Sequence, residues 1–226
     1  MYTYITMGES VEQRVPAAVV FDCDGLLVDT ETLWTRAERE LFRRHGRAFT
    51  ADDKKALLGT GWLAGGRVLE RLLDRPGDAE ELSQTLLGLV TEEVEQGVDA
   101  LPGALELVEE LRGRLPIAVA SNSPRGFVDA VLARGGFVDS FDAYVTGDQL
   151  ENPKPAPDAY LAVCTRLGVE ASTAVALEDS PPGIASARAA GLFVIGIPSL
   201  PGLELEADLV ADSLLDECVR AAVGLG

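Results

Sequence analysis

Asp22 and Asp24 stand two residues apart in Phe21-Asp-Cys-Asp-Gly-Leu-Leu-Val-Asp-Thr30, directly behind an apolar run. Carboxylates placed this way at a strand end can divide the work of a nucleophile and a general acid/base. The same D-x-D-G could open a calcium loop, but the fifth, sixth and twelfth positions from Asp22 are Leu26, Leu27 and Leu33, which excludes it. Three more segments carry polar groups of the same kind. Ala118-Val-Ala-Ser-Asn-Ser123 offers the Ser121 hydroxyl and the backbone N–H of Asn122 to an anion. Asn152-Pro-Lys-Pro-Ala-Pro157 holds Lys154 on a loop stiffened by prolines. Ala176-Leu-Glu-Asp-Ser180 ends in Glu178 and Asp179, just before Pro181-Pro182-Gly183. Each segment alone has a plain structural reading as a helix cap, a solvated lysine or first-turn acids. Together they assemble a nucleophile, an acid/base, a hydroxyl, a cation and oxygen ligands for a hard metal. That set suits phosphoryl transfer with Mg2+.

For these groups to meet, the segments must end neighbouring strands. Ala17–Phe21, Ile117–Ala120, Ala143–Val145, Ala174–Leu177 and Val194–Ile197 read as short buried strands. Helical spacing fills the gaps: Leu105, Val108 and Leu111 form one face, as do Tyr160, Leu161, Cys164 and Leu167, and Gly191 closes a helix over Gly183–Ala190. The alternation predicts an α/β fold, a Rossmann-like three-layer core around a parallel sheet, with ligands at the carboxyl edge. Between Thr32 and Ala100 no strand-like run appears. Helices are expected over Leu33–His45, Asp52–Leu58, Trp62–Leu73 and Asp78–Gln96. The expected division is a core of residues 17–31 and 101–226, an inserted helical cap of residues 32–100, and a loose tail of residues 1–16.

Composition narrows the classes. With 47% hydrophobic and 25% charged residues the chain is globular. Its 19 Lys+Arg against 37 Asp+Glu give a net charge of −18, which opposes nucleic acids and anionic membranes as partners. A small phosphorylated metabolite remains compatible, because a bound metal inverts the local field. The single histidine, His45, leaves little for a zinc or Ser-His-Asp hydrolase and reads as packing or exposed. Cys23, Cys164 and Cys218 fit neither a disulfide framework nor a zinc site, and Cys23 should point away from the rim as an inert thiol. No run is long enough for a membrane span and no secretion signal opens the chain, so a cytoplasmic protein, monomeric or weakly dimeric, is expected.

The order and spacing of DCDGLLVDT, ASNS, NPKPAPDAY and ALEDSPPGI, from Ala17 to Pro198, resemble the haloacid dehalogenase-like superfamily. The likeness is to its phosphatases and β-phosphoglucomutases with a helical cap after the first motif, closest to the sugar-phosphate phosphatases. The resemblance implies that Asp22 forms an aspartyl-phosphate and that Asp24 serves the leaving alcohol and then the water. It further implies that Ser121 and the Asn122 N–H hold phosphate oxygens, and that Lys154 neutralises charge beside Asp22. Mg2+ would be held by Asp22, the Asp24 carbonyl and Asp179, with Glu178 either a ligand or one step removed. Dehalogenases lack the second aspartate, so Asp24 favours phosphate chemistry. The mutases carry a histidine and a cap arginine where this chain has Trp34 and Gly61 or Trp62. The resemblance therefore implies a Mg2+-dependent phosphatase acting on a sugar or polyol phosphate. A phosphomutase and a non-catalytic phosphate-ligand binding protein are the alternatives. Thr60 and Trp62 of the cap, and Arg125 after ASNS, are expected to meet the substrate.

Overall fold

In the computed structural model, residues 15–226 are described, apart from the side chains of residues 62 and 63. All but the last two residues of the expected tail therefore lie outside the described residues. Strands β1 (Ala18–Phe21), β2 (Ile117–Ala120), β3 (Ala143–Val145), β4 (Ala174–Glu178), β5 (Phe193–Gly196) and β6 (Leu209–Val210) form one sheet ordered β3-β2-β1-β4-β5-β6. Every neighbouring pair is parallel, with Val19 opposite Ile117 and Val175. Both faces are buried, which is why the strands read as unbroken apolar runs. Val19, Phe21, Val119 and Leu177 point into one core, and the smaller Ala18, Val20, Ala118 and Ala176 into the other.

Between β1 and β2 the chain forms α1 (Thr30–Arg44), α2 (Ala51–Leu57), α3 (Trp62–Leu73), α4 (Ala79–Gln96) and α5 (Ala104–Leu111). Helix α1 starts earlier than the expected Leu33 because Asp29 caps it, accepting from the Thr32 N–H at 3.4 Å. At α2, Thr50 and Asp53 form a reciprocal capping box. The segments entering and leaving this helical stretch pair with each other. The Asp29 N–H donates to Asp99 O and the Leu101 N–H to Leu27 O, both at 2.9 Å, around an antiparallel bridge between Val28 and Ala100.

Helix α6 (Arg125–Arg134), α7 (Asp158–Leu167), α8 (Pro181–Ala190) and α9 (Glu217–Ala222) complete the layers. Helices α5, α6 and α9 cover the first sheet face, α7 and α8 the alanine-rich one. Spacing misassigned two side chains: Leu105 and Leu161 are 43% and 45% exposed. The buried stripes run instead through Leu107, Val108 and Leu111, and through Ala159, Tyr160, Val163 and Cys164. Because β1 lies between β2 and β4, the crossovers leave it in opposite directions, and the crevice at its carboxyl end is the topological switch point.

Candidate active site

Asp22 extends β1 by one rung, its N–H donating to Leu177 O at 3.0 Å, and Ser121 extends β2 by donating to Val145 O at 2.9 Å. Strand pairing therefore delivers the first, second and fourth polar segments to one edge. Lys154 arrives on the loop after β3. Its ammonium uses all three donors, on Asp22 Oδ1 at 2.5 Å, Glu178 Oε1 at 2.6 Å and Ala120 O at 2.8 Å. The group is buried and sits 5.0 Å from the centre of the Tyr160 ring. Asn122 clamps the loop: its Oδ1 accepts from the Lys154 N–H at 2.8 Å, and its Nδ2 donates to Lys154 O at 3.2 Å and to Gly59 O at 3.3 Å. The same amide thus ties the loop after α2 to the sheet.

Glu178 is fully buried, and donors surround its carboxylate. Lys154 and Tyr160 Oη, the latter at 2.6 Å, donate to Oε1. The N–H groups of Asp179 and Ser180 and the Ser180 hydroxyl donate to Oε2 at 3.2, 3.5 and 3.2 Å. Burial holds the Tyr160 phenol well above its ordinary range, so it remains a donor. Gly183 in the first turn of α8 makes room for this carboxylate, since a Cβ there would collide with it.

Asp24 is half-buried and accepts from Ser123 Oγ at 2.7 Å and Ser121 Oγ at 3.4 Å on one oxygen, and from Trp34 Nε1 at 3.5 Å on the other. The carboxylates of Asp22, Glu178 and Asp179 are buried, with one oxygen of each within 4.8 Å of the others. Burial, followed in effect by the neighbouring acids, pushes Asp179 well above the carboxylate range. Asp22 rises to about 8, chiefly by burial, with Glu178 and Asp24 adding and Lys154 opposing. Three carboxylates thus crowd together while the one ammonium reaches only Asp22 and Glu178, a repulsion that a divalent cation would relieve. Gly25, at φ +80°, passes so close to Asp179 that a Cβ would strike its carboxylate. The donor set and the cradle both fit a hard metal ion.

A cavity covers this edge. Asp22, Asp24, Ser121, Asn122, Lys154 and Asp179 line one side; Leu57 to Gly61, Leu69 and Leu86 line the other. Thr60 borders it, with its hydroxyl donating to Leu57 O at 2.7 Å. The side chain of Trp62 lies outside the described residues. Arg125 does not reach the cavity. Its Nε bonds Asp129 at 2.7 Å one helical turn on, and its guanidinium rests 4.8 Å from the Tyr144 ring centre. Cys23 is buried, and burial first, then Asp24 and Asp22, keeps its thiol protonated. Sequence reading missed Ser123, Tyr160 and the pairing of Trp34 with Asp24. It also missed Glu31, Glu38 and Lys54, which line the cavity from above.

Residues 16–191 match the haloacid dehalogenase-like hydrolase family. The chain belongs to that family. It is 32% identical to fructose-1-phosphate phosphatase YqaB of Escherichia coli, over 80% of this chain and 96% of that protein. It is 38% identical to Suppressor of quenching 1 of Arabidopsis thaliana over 80% of this chain, and spans only 18% of that relative's length. Among solved structures it resembles CbbY of Rhodobacter sphaeroides, crystallised with phosphate, at a TM-score of 0.77 and 29% identity, covering 88% of this chain and 95% of that one.

Proposed function

We propose that this phosphoric monoester hydrolase cleaves a small sugar or polyol phosphate in two displacements at Asp22. The observation that carries the reading is Lys154, whose ammonium is fixed on Oδ1 of Asp22, a residue that lines the cavity, and leaves the other oxygen for the substrate. In the first displacement that oxygen bonds to phosphorus as the bond to the leaving oxygen breaks. Asp24 gives its proton to that oxygen. In the second, water attacks phosphorus, yields its proton to Asp24, and the Asp22–phosphorus bond breaks. Ser121 and the Asn122 N–H hold phosphate oxygens, and Lys154 offsets the charge that gathers at Asp22. Ser123 and Ser121 orient the Asp24 carboxylate between the two proton transfers.

Mg2+ fits the acids already described, with Asp22, Asp179 and the Asp24 carbonyl as ligands; bound there, it would draw in and polarise the phosphate. Glu178 has more donors on it than its lone pairs can serve, and it does not line the cavity. Its role is to position Lys154 and Asp179. Residues 32–100 act as the cap over a core of residues 17–31 and 101–226. At Trp34, an indole that donates to Asp24 stands where a phosphomutase would hold a proton-carrying histidine, which favours hydrolysis.

The test is inorganic phosphate release with Mg2+ across sugar, polyol, glycolate and nucleotide monophosphates, with Asp22→Asn alongside. Release that chelator and the variant abolish is expected. Sugar isomers interconverting without release would establish a mutase, and binding without turnover a phosphate-ligand binding protein.

A further inference from the structure

Helix α1 turns three polar side chains toward the cavity. Glu31, Trp34 and Glu38 follow each other at i, i+3 and i+7 and share one face. From α2, Lys54 reaches between the two acids, with Nζ 2.7 Å from Glu31 Oε2 and 3.1 Å from Glu38 Oε2. Lys54 and Glu38 are 9% and 3% exposed, yet both line the same cavity as Asp22 and Asp24.

A tie between two helices needs one acid and one base, and a well-packed apolar pair does that task at least as well. The triad has one carboxylate more than a tie requires. It also carries more donors and acceptors than the tie uses, on residues that line the cavity. The ammonium has a third N–H beyond those directed at Glu31 and Glu38, and each carboxylate has further lone pairs. Buried groups of this kind seek partners that both donate and accept. Hydroxyls do so. A second phosphate would only accept, and would bring its charge against two carboxylates and an ammonium they already neutralise.

We infer that Glu31, Glu38 and Lys54 read the leaving group as a neutral, hydroxyl-bearing chain and reject a second phosphate. The inference rests on the phosphatase reading and narrows its substrates to polyol or sugar monophosphates. Monophosphate and bisphosphate therefore differ in fit where the substrate meets these three side chains.

The test compares fructose 1-phosphate with fructose 1,6-bisphosphate and with n-hexyl phosphate, whose chain has the length but not the hydroxyls. In the native protein kcat/KM should favour fructose 1-phosphate by about 100-fold over each, mostly through KM. Glu31→Gln and Glu38→Gln should each shrink the monophosphate-to-bisphosphate ratio about tenfold. Glu31→Gln carries the test if the more buried Glu38→Gln fails to fold. Native ratios near unity, or ratios untouched by the substitutions, would overturn the inference. Calorimetric binding of the two fructose esters to Asp22→Asn separates it from the phosphatase reading. If no ester, p-nitrophenyl phosphate included, is turned over, that reading fails. A monophosphate preference in binding would still uphold the triad's role, and equal binding would refute it.

Discussion

Gly183→Ala adds one methyl group to the first turn of α8, where the geometry predicts an effect out of proportion to its size. The new Cβ would lie well inside the 3.0 Å that Cβ atoms keep from other atoms, against the carboxyl carbon and both oxygens of Glu178. That carboxylate is held by donors on both oxygens and cannot swing aside without abandoning them. Giving up Lys154 and Tyr160 costs roughly 1.5–3 kcal/mol for each hydrogen bond to a charged group, about 3–6 kcal/mol together. In a chain of this size that corresponds to a fall in Tm of about 6–24 °C. Lys154 then loses one of its three anchors and drifts from Asp22, for which a drop in kcat on the order of 100-fold is expected. Gly88→Ala is the control: it lies within α4 with nothing near its Cβ, and the same methyl there should stabilise by roughly 0.5–1 kcal/mol. Differential scanning calorimetry and phosphate release read both variants. If Gly183→Ala melts and turns over like Gly88→Ala, the account of Glu178 as a fixed positioning group is wrong.

Tyr160→Phe removes the 2.6 Å donor to Glu178 while Lys154 stays in place. Urea denaturation should show a loss of roughly 1.5–3 kcal/mol, with a smaller effect on kcat than Gly183→Ala. Burial above all raises the Glu38 carboxyl from 4.5 to about 7, with Glu31 adding and Lys54 opposing. The folded state therefore holds a proton that the unfolded chain releases between those values, and stability falls as pH rises through that window, by on the order of 3 kcal/mol from this group. Glu38→Gln should remove that part of the decline, and denaturation at pH values across the window measures it. Mg2+ should raise the Tm of the native protein, by the equivalent of about 2.7 kcal/mol at a hundred times its Kd, and should do so far less in Asp179→Asn. Equal shifts in both proteins would count against Asp179 as a ligand.

The parallel sheet was legible because strands buried on both faces leave unbroken apolar runs, and polar residues at their ends stand out. Asp22, Ser121 and Asp179 were singled out that way, and Lys154 by the prolines on either side of it. Helix α6 was not, because Gly126 and a polar N-terminus blur a face that Phe127, Val128 and Val131 do bury. Strand β6 has two residues, too few for any period to show. The Glu31–Lys54–Glu38 triad was not picked out, since it forms only when Lys54 of α2 reaches α1. Tyr160 was read as part of an apolar face; its hydroxyl matters only because β4 brings Glu178 beneath α7. The pairing of Arg125 with Asp129 was likewise not read from the sequence, although the two stand one helical turn apart.

The steric course at phosphorus tests the central claim most directly. With a substrate made chiral at phosphorus by oxygen isotopes, two in-line displacements through Asp22 predict overall retention of configuration. Inversion would mean that water attacks the ester directly, and would contradict a covalent role for Asp22.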